Sequence, residues 1–175
     1  MRVFIAIFIP KELCEQFVDL QKTFSAFGKI TFVKQEHMHL TLRFFRDLSV
    51  EKVNTLRERL RRITLSPFEI TFDSLGVFPD ENFIRVLWIG LKNGEILEFQ
   101  EKIEQSLEEV FGRDKKFHAH LTLGRVKMLY DKNGFKEKLK TKINGSFLVK
   151  EFYLMKSELG SEGPAYTVLE TYSLQ

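Results

Sequence analysis

One short phrase occurs twice in this chain, as His37-Met38-His39-Leu40-Thr41-Leu42 and as His118-Ala119-His120-Leu121-Thr122-Leu123. The 175 residues contain four histidines, and all four lie in these two copies. Imidazole is the side chain best suited to exchange protons near neutral pH. On an extended strand side chains alternate, so His39 and Thr41 share one face about 7 Å apart while Leu40 and Leu42 take the other. The second copy repeats this with His120, Thr122, Leu121 and Leu123. Two such units meeting across a cleft suit a phosphodiester. A neutral imidazole takes a proton from attacking water and an imidazolium gives one to the leaving oxygen, each step worth roughly 10² to 10⁴ in rate. The threonine hydroxyls donate to the non-bridging oxygens, where charge builds. A site of this kind without a metal needs a reactive ester. A strained 2′,3′-cyclic phosphate at an RNA end qualifies, and an ordinary DNA phosphodiester does not.

A second chemistry uses the same residues. His37 with His39 and His118 with His120 are His-x-His pairs, and four imidazoles can hold zinc. Neither motif contains a cysteine or a carboxylate, and zinc leaves the repeated threonine unexplained, so no metal and no cofactor is expected. Among the flanking cations, Arg43 shares a face with His39 and Thr41 under strict alternation and is expected to reach the phosphate. Arg125 falls opposite His120 unless Gly124 permits a bulge or a strand end. Phe44, Phe45 and Phe78 are core residues or base-stacking candidates, and Tyr130, after the second motif, is a further stacking candidate. Arg57, Arg59, Arg61 and Arg62 make a basic helix whose expected state is a solvated face. Lys136, Lys138, Lys140 and Lys142 are candidates to guide an RNA backbone.

The elements that must position the motifs follow from apolar periodicity. Arg2 to Phe8 is a β-branched and aromatic run stopped by Pro10. Helical spacing over Lys11 to Phe27 puts Leu13, Phe17, Leu20 and Phe24 on one face, with Gly28 as its stop. Ile30 to Val33 and His37 to Phe45 are predicted strands. Ser49 caps a helix running to about Ile63, with Val53, Leu56, Leu60 and Ile63 inward. Phe68 to Phe78 is extended, Pro79 to Asn82 turns, and Ile84 to Leu91 is a strand. Asn93 to Phe111 is a second amphipathic helix, Phe117 to Val126 a strand, and Tyr130 to Lys142 partly helical. Phe147 to Met155 and Tyr166 to Leu174 are strands joined by a loop from Gly160 to Pro164. Arg2-Val3-Phe4-Ile5 echoes Arg85-Val86-Leu87-Trp88, and strand, helix and motif strand follow in the same order twice. Duplication is the expected origin.

Composition agrees with a globular chain: 43 % hydrophobic residues, eighteen of them Phe, and no linker or low-complexity stretch. No apolar run approaches the ~20 residues of a membrane helix, and no signal-peptide cleavage pattern follows Met1, so no membrane partner is expected. The single cysteine, Cys14, cannot form an internal disulfide, which points to the cytoplasm. A net charge of +3 suits a phosphate-bearing substrate without arguing nucleic-acid binding by itself.

The paired His-Leu-Thr-Leu units resemble the signature of the two-histidine (2H) phosphoesterases. The best fit is the RNA 2′,3′-cyclic phosphodiesterase, or 2′-5′ RNA ligase-like, branch. Met1 to Ile7, His39 to Phe44, Gly76-Val77-Phe78-Pro79, Ile84 to Trp88, His120 to Arg125 and Gly163 to Tyr166 carry the resemblance across essentially the whole chain. It implies an α+β fold over 1–175, a single domain of two similar lobes. Each lobe has an antiparallel sheet facing a central groove and helices outside. It further implies metal-free hydrolysis of the cyclic ester to a 2′-phosphate. His120 would be the base, His39 the acid, Thr41 and Thr122 the holders of phosphate oxygens, and Arg125 a substrate contact. The implied partners are RNA ends or small cyclic nucleotides, with the protein a monomer. A ligase running the same chemistry backwards, and a nucleotide- or RNA-binding module that has lost turnover, are the rival expectations.

Overall fold

Apolar runs decide where the strands lie, and helical apolar spacing decides what covers them. The computed structural model describes residues 1–92, 94–114, 117–161 and 163–175. In order, the elements are β1 (Arg2–Phe8), α1 (Lys11–Phe24), β2 (Gly28–Phe32), β3 (His39–Phe45), α2 (Val50–Arg61), β4 (Phe68–Pro79) and β5 (Ile84–Leu91). Then follow α3 (Glu95–Phe111), β6 (His120–Leu129), α4 (Lys132–Lys138), β7 (Ser146–Val149), β8 (Glu151–Gly160) and β9 (Gly163–Ser173). The class is α+β, and each of these strand ladders is antiparallel. Asn93, expected to open the second amphipathic helix, and Glu162, expected in the last loop, lie outside the described residues.

Several boundaries differ from expectation for local reasons. Helix α1 ends at Phe24 and passes through one 3₁₀ turn, Ser25–Phe27, so Gly28 is not its C-cap. Gly28 is extended and opens β2; a Cβ there would lie 2.3 Å from the carbonyl oxygen of Met128, so glycine permits close strand approach. The stretch expected as one strand over Phe147 to Met155 is two, because β7 pairs with β4 whereas β8 pairs with β1. The buried face of α1 is Cys14, Phe17, Gln21 and Phe24, leaving Leu13 and Leu20 only partly covered. Helix α2 buries Val53, Leu56 and Leu60 as the spacing predicts, and the Ser49 hydroxyl accepts the Lys52 N–H at 3.3 Å. Helix α3 buries Ile96, Phe99, Ile103 and Leu107. No helix among the described residues is long and apolar enough to cross a membrane.

The sheet corrects the expectation of two separate sheets. Its strands run β7-β4-β5-β6-β3-β1-β8-β9, with β2 paired to β6 in addition. The two motif strands, β3 and β6, meet in the middle through one residue pair, Leu40 with Leu121. The outer strands are exchanged between the halves of the sequence. Strand β4 leaves α2 to pair with β5, and β8 returns to pair with β1.

Candidate active site

Both motif strands carry a bulge at the same place. Along β3, Ala6 pairs with Thr41 and Ile5 with Arg43, leaving Leu42 out of the ladder. Along β6, Trp88 pairs with Thr122 and Leu87 with Gly124, leaving Leu123 out. The ladder counterpart of Ala6 is therefore Trp88, one residue from the match that the sequence echo suggests. An extra residue reverses the alternation beyond it. Arg125 consequently returns to the side of His120 and Thr122, and Phe44 takes the corresponding place in β3.

Arg43 is turned the opposite way. It is 6 % exposed, and Nη1 donates to Glu104 Oε2 at 2.8 Å. Its Nη2 donates to the carbonyls of Phe111 (3.1 Å) and Gly112 (2.9 Å), where α3 ends. The expectation that Arg43 reaches the phosphate is thus corrected: the bulge at Leu42 puts it in the core. There it ties β3 to α3. Glu104 also accepts the Asp114 N–H at 2.7 Å and the Gln100 amide at 3.1 Å. Behind the other bulge, the Gln21 amide of α1 donates to the carbonyls of Leu123 (2.9 Å) and Val33 (2.8 Å). A buried polar side chain from a long helix thus braces each bulged strand.

In front, His39, Thr41, His120, Thr122 and Arg125 line one cavity of about 800 Å³. The pairing of Leu40 with Leu121 sets His39 across from Thr122 and Thr41 across from His120. Each imidazole is oriented from its own motif. His39 Nδ1 meets the carbonyl oxygen of His37, and His120 Nδ1 that of His118, both at 2.6 Å. A carbonyl only accepts, so Nδ1 carries the proton and Nε2 is the exchanging atom on both rings. The first histidine of each pair therefore contributes its backbone. Aromatic rings wall each imidazole: Phe4 and Tyr166 stand 4.9 and 5.4 Å from His39, and Phe78 and Trp88 stand 5.0 and 6.2 Å from His120. Burial pushes both imidazoles below the ordinary histidine value, opposed by the carbonyl hydrogen bond.

Other expected candidates disperse. Phe45 is buried against Phe111, Phe78 packs on Trp88, and Tyr130 is exposed outside the cavity wall; of the stacking candidates Phe44 alone lines it. Arg59 and Arg61 pair with Glu109 and Glu170 at 2.6 Å, and Arg57 with Glu170 at 3.4 Å, so three of the four helix arginines are tied to carboxylates rather than simply solvated. Lys136 and Lys140 pair with Glu81 and Glu137 away from the cavity. Periodicity missed Lys34 and Thr31, which line the wall beside β2, and the roles of Phe4 and Tyr166. Nothing in their spacing marks them; β1 and β9 bring them in from the two ends of the chain. Among the described residues, no three His, Cys, Asp or Glu side chains gather closely enough to hold a metal ion.

The model of the LigT like phosphoesterase family matches residues 7–88. The RNA 2′,3′-cyclic phosphodiesterase of Methanocaldococcus jannaschii is 35 % identical across 98 % of this chain and 100 % of its own length. This chain belongs to the LigT-like phosphoesterases. A second relative of this phosphoesterase, the RNA 2′,3′-cyclic phosphodiesterase of Thermotoga maritima, is 33 % identical over 97 % of the chain and 93 % of its own. Among solved structures, TT0787 of Thermus thermophilus superposes on the phosphoesterase with a TM-score of 0.88 at 29 % identity, covering 99 % of this chain and 98 % of that one. Escherichia coli LigT complexed with 3′-AMP superposes with a TM-score of 0.80 at 25 % identity, covering 99 % and 96 %.

Proposed function

We propose that this phosphoesterase hydrolyses RNA 2′,3′-cyclic phosphate ends to 2′-phosphates without a metal. The observation that carries the proposal is the pair of imidazoles facing one cavity, each with Nδ1 taken by a carbonyl and Nε2 left for proton exchange. His120 Nε2 takes a proton from water. The water oxygen attacks phosphorus opposite the 3′ oxygen, the phosphorus–O3′ bond breaks, and His39 Nε2 protonates the departing O3′. The division of roles follows access: His120 is the more open of the two, as a base fed by solvent requires, and His39 is the more enclosed. Thr41, Thr122 and Arg125 hold the non-bridging oxygens. Metal independence is supported by the spacing of the candidate ligands: among the described residues no three His, Cys, Asp or Glu side chains converge on one point.

The same reading makes residues 1–175 one domain of two pseudo-symmetric halves, each contributing a His-x-Thr unit to a shared groove. The matching bulges and the matching carbonyl bonds of His39 and His120 support it. Since one chain supplies both motifs, the active unit is a monomer. A nucleotide-sized ligand is supported by the 3′-AMP complex of the E. coli relative. The lone cysteine supports a cytoplasmic site of action.

The test is incubation of EDTA-treated protein with a short RNA ending in a 2′,3′-cyclic phosphate, and identification of the terminus formed. A 2′-phosphate at an undiminished rate is expected. A 3′-phosphate would reverse the in-line geometry, and loss of activity in EDTA would refute the metal-free mechanism.

A further inference from the structure

The cavity is lined from two flanks of the sheet, β8 with β9 and β2 with β6, and the two are chemically unlike. On one side stands the hairpin of β8 and β9, whose Ser157, Gly160, Ser161, Gly163 and Pro164 line the wall. The cation there, Lys156, is neutralised by Glu158 at 2.8 Å, and Leu159 beyond it is 71 % exposed. On the other side, β6 continues outward from Arg125 with β2 beside it. Thr31 pairs with Arg125, Ile30 with Val126, and Lys29 with Met128, so Lys127 is bulged out of the ladder. This second bulge in β6 leaves both Lys127 and Met128 exposed next to Lys29, and Tyr130, 68 % exposed, ends the path. Arg125, Lys127 and Lys29 have no carboxylate partner within ion-pair distance among the described residues.

We propose that the RNA chain on the 5′ side of the cyclic phosphate leaves the cavity over the outer ends of β2 and β6, with Lys29 and Lys127 against its phosphates and a base stacked on Tyr130. The proposal rests on the hydrolase reading above and extends it from the reacting ester to the polymer attached to it. A 2′,3′-cyclic phosphate closes the 3′ end of an RNA, so every remaining nucleotide lies on its 5′ side and must exit the cavity somewhere. A polyanion is attracted by unpaired ammonium groups continuous with Arg125, and an exposed phenol ring gives any base a face to stack on. The hairpin side offers a neutralised cation and an apolar tip.

The experiment compares a mononucleoside 2′,3′-cyclic phosphate with an oligoribonucleotide ending in the same group, using wild type, K29Q/K127Q and Y130A. For wild type, kcat/KM is expected to be roughly tenfold or more higher on the oligomer, the scale of one stacked base plus backbone contacts. Each variant should lose most of that advantage while its mononucleotide rate stays unchanged, which also shows the variant to be folded. For K29Q/K127Q, the log–log dependence of oligomer kcat/KM on salt should flatten by about 1.4, from two fewer single-strand phosphate contacts. Equal wild-type rates on both substrates, or variants that keep the full oligomer advantage, would overturn the path. A wild-type protein inert towards both substrates would instead overturn the hydrolase reading, a separate result.

Discussion

At the scale of single residues, the two imidazoles are equivalent in tautomer and unequal in enclosure. Under the proposed mechanism each Nε2 carries one proton transfer, so His39→Ala and His120→Ala should each lower kcat by roughly 10² to 10⁴, with circular dichroism unchanged. The double variant should be little worse than either single, because the two act as a unit. The pH dependence follows from burial. In the free enzyme the base must be neutral and the acid protonated, so kcat/KM rises as pH climbs past one value and falls past the other. Both values lie below the ordinary ~6.5 of histidine, since burial disfavours each imidazolium. The maximum of kcat/KM should therefore fall on the acid side of about pH 6.5. A maximum at or above pH 7 would contradict the desolvated site. The sequence shows these residues openly, because four histidines in two identical frames leave few other readings. What it does not show is the use of His37 and His118. Their side chains invite a metal, whereas the structure uses their carbonyls.

At the scale of elements, the bulges decide which side chains reach the cavity. Alternation places His39, Thr41, His120 and Thr122 correctly from sequence, because all four precede the bulge. It fails at Arg43 and leaves Arg125 unresolved, because both follow it. An extra residue in a ladder is a property of the pairing and has no mark in the strand's own composition. The consequence for Arg43 is measurable. Arg43→Ala leaves Glu104 buried, 2 % exposed, without its cation, which should destabilise the fold by roughly 3 to 5 kcal/mol in denaturant titration. Arg43→Lys should recover part of this, since an ammonium supplies the charge without the planar fork. On the other side of the site, Gly76 pairs with Trp88, and a Cβ on Gly76 would stand 2.2 Å from the indole ring. Gly76→Ala must therefore displace the ring that walls His120. It should lower kcat about tenfold or more, as a misplaced catalytic group does, with a smaller effect on thermal stability.

At the scale of the molecule, the exchange of β4 and β8 makes the two halves inseparable. The sequence displays a repeat and so suggests two lobes laid end to end. The structure instead completes the half around β6 with β4 and the half around β3 with β8 and β9. Long-range pairing of this kind leaves no signal in local periodicity. A chain opened in the turn between β4 and β5, at Glu81, should thus yield two fragments that do not fold separately. Mixed, they should form one complex with cyclic phosphodiesterase activity, detectable by gel filtration and assay. Independent folding of the fragment 1–81 would contradict the exchange.

The partnership of β1 with β8 also sets a timetable for synthesis. Strand β1 carries Val3, Phe4, Ile5, Ala6 and Ile7, all almost fully buried in the finished protein, and one of its two edges is reserved for β8. Those partners emerge from the ribosome roughly 150 residues later, on the order of ten to thirty seconds at ordinary elongation rates. Throughout that interval a strongly apolar strand has an open edge, the condition under which nascent chains pair with the wrong neighbour. The pairing of the first strand with the last hairpin thus delays closure of the sheet until nearly the whole chain has been made.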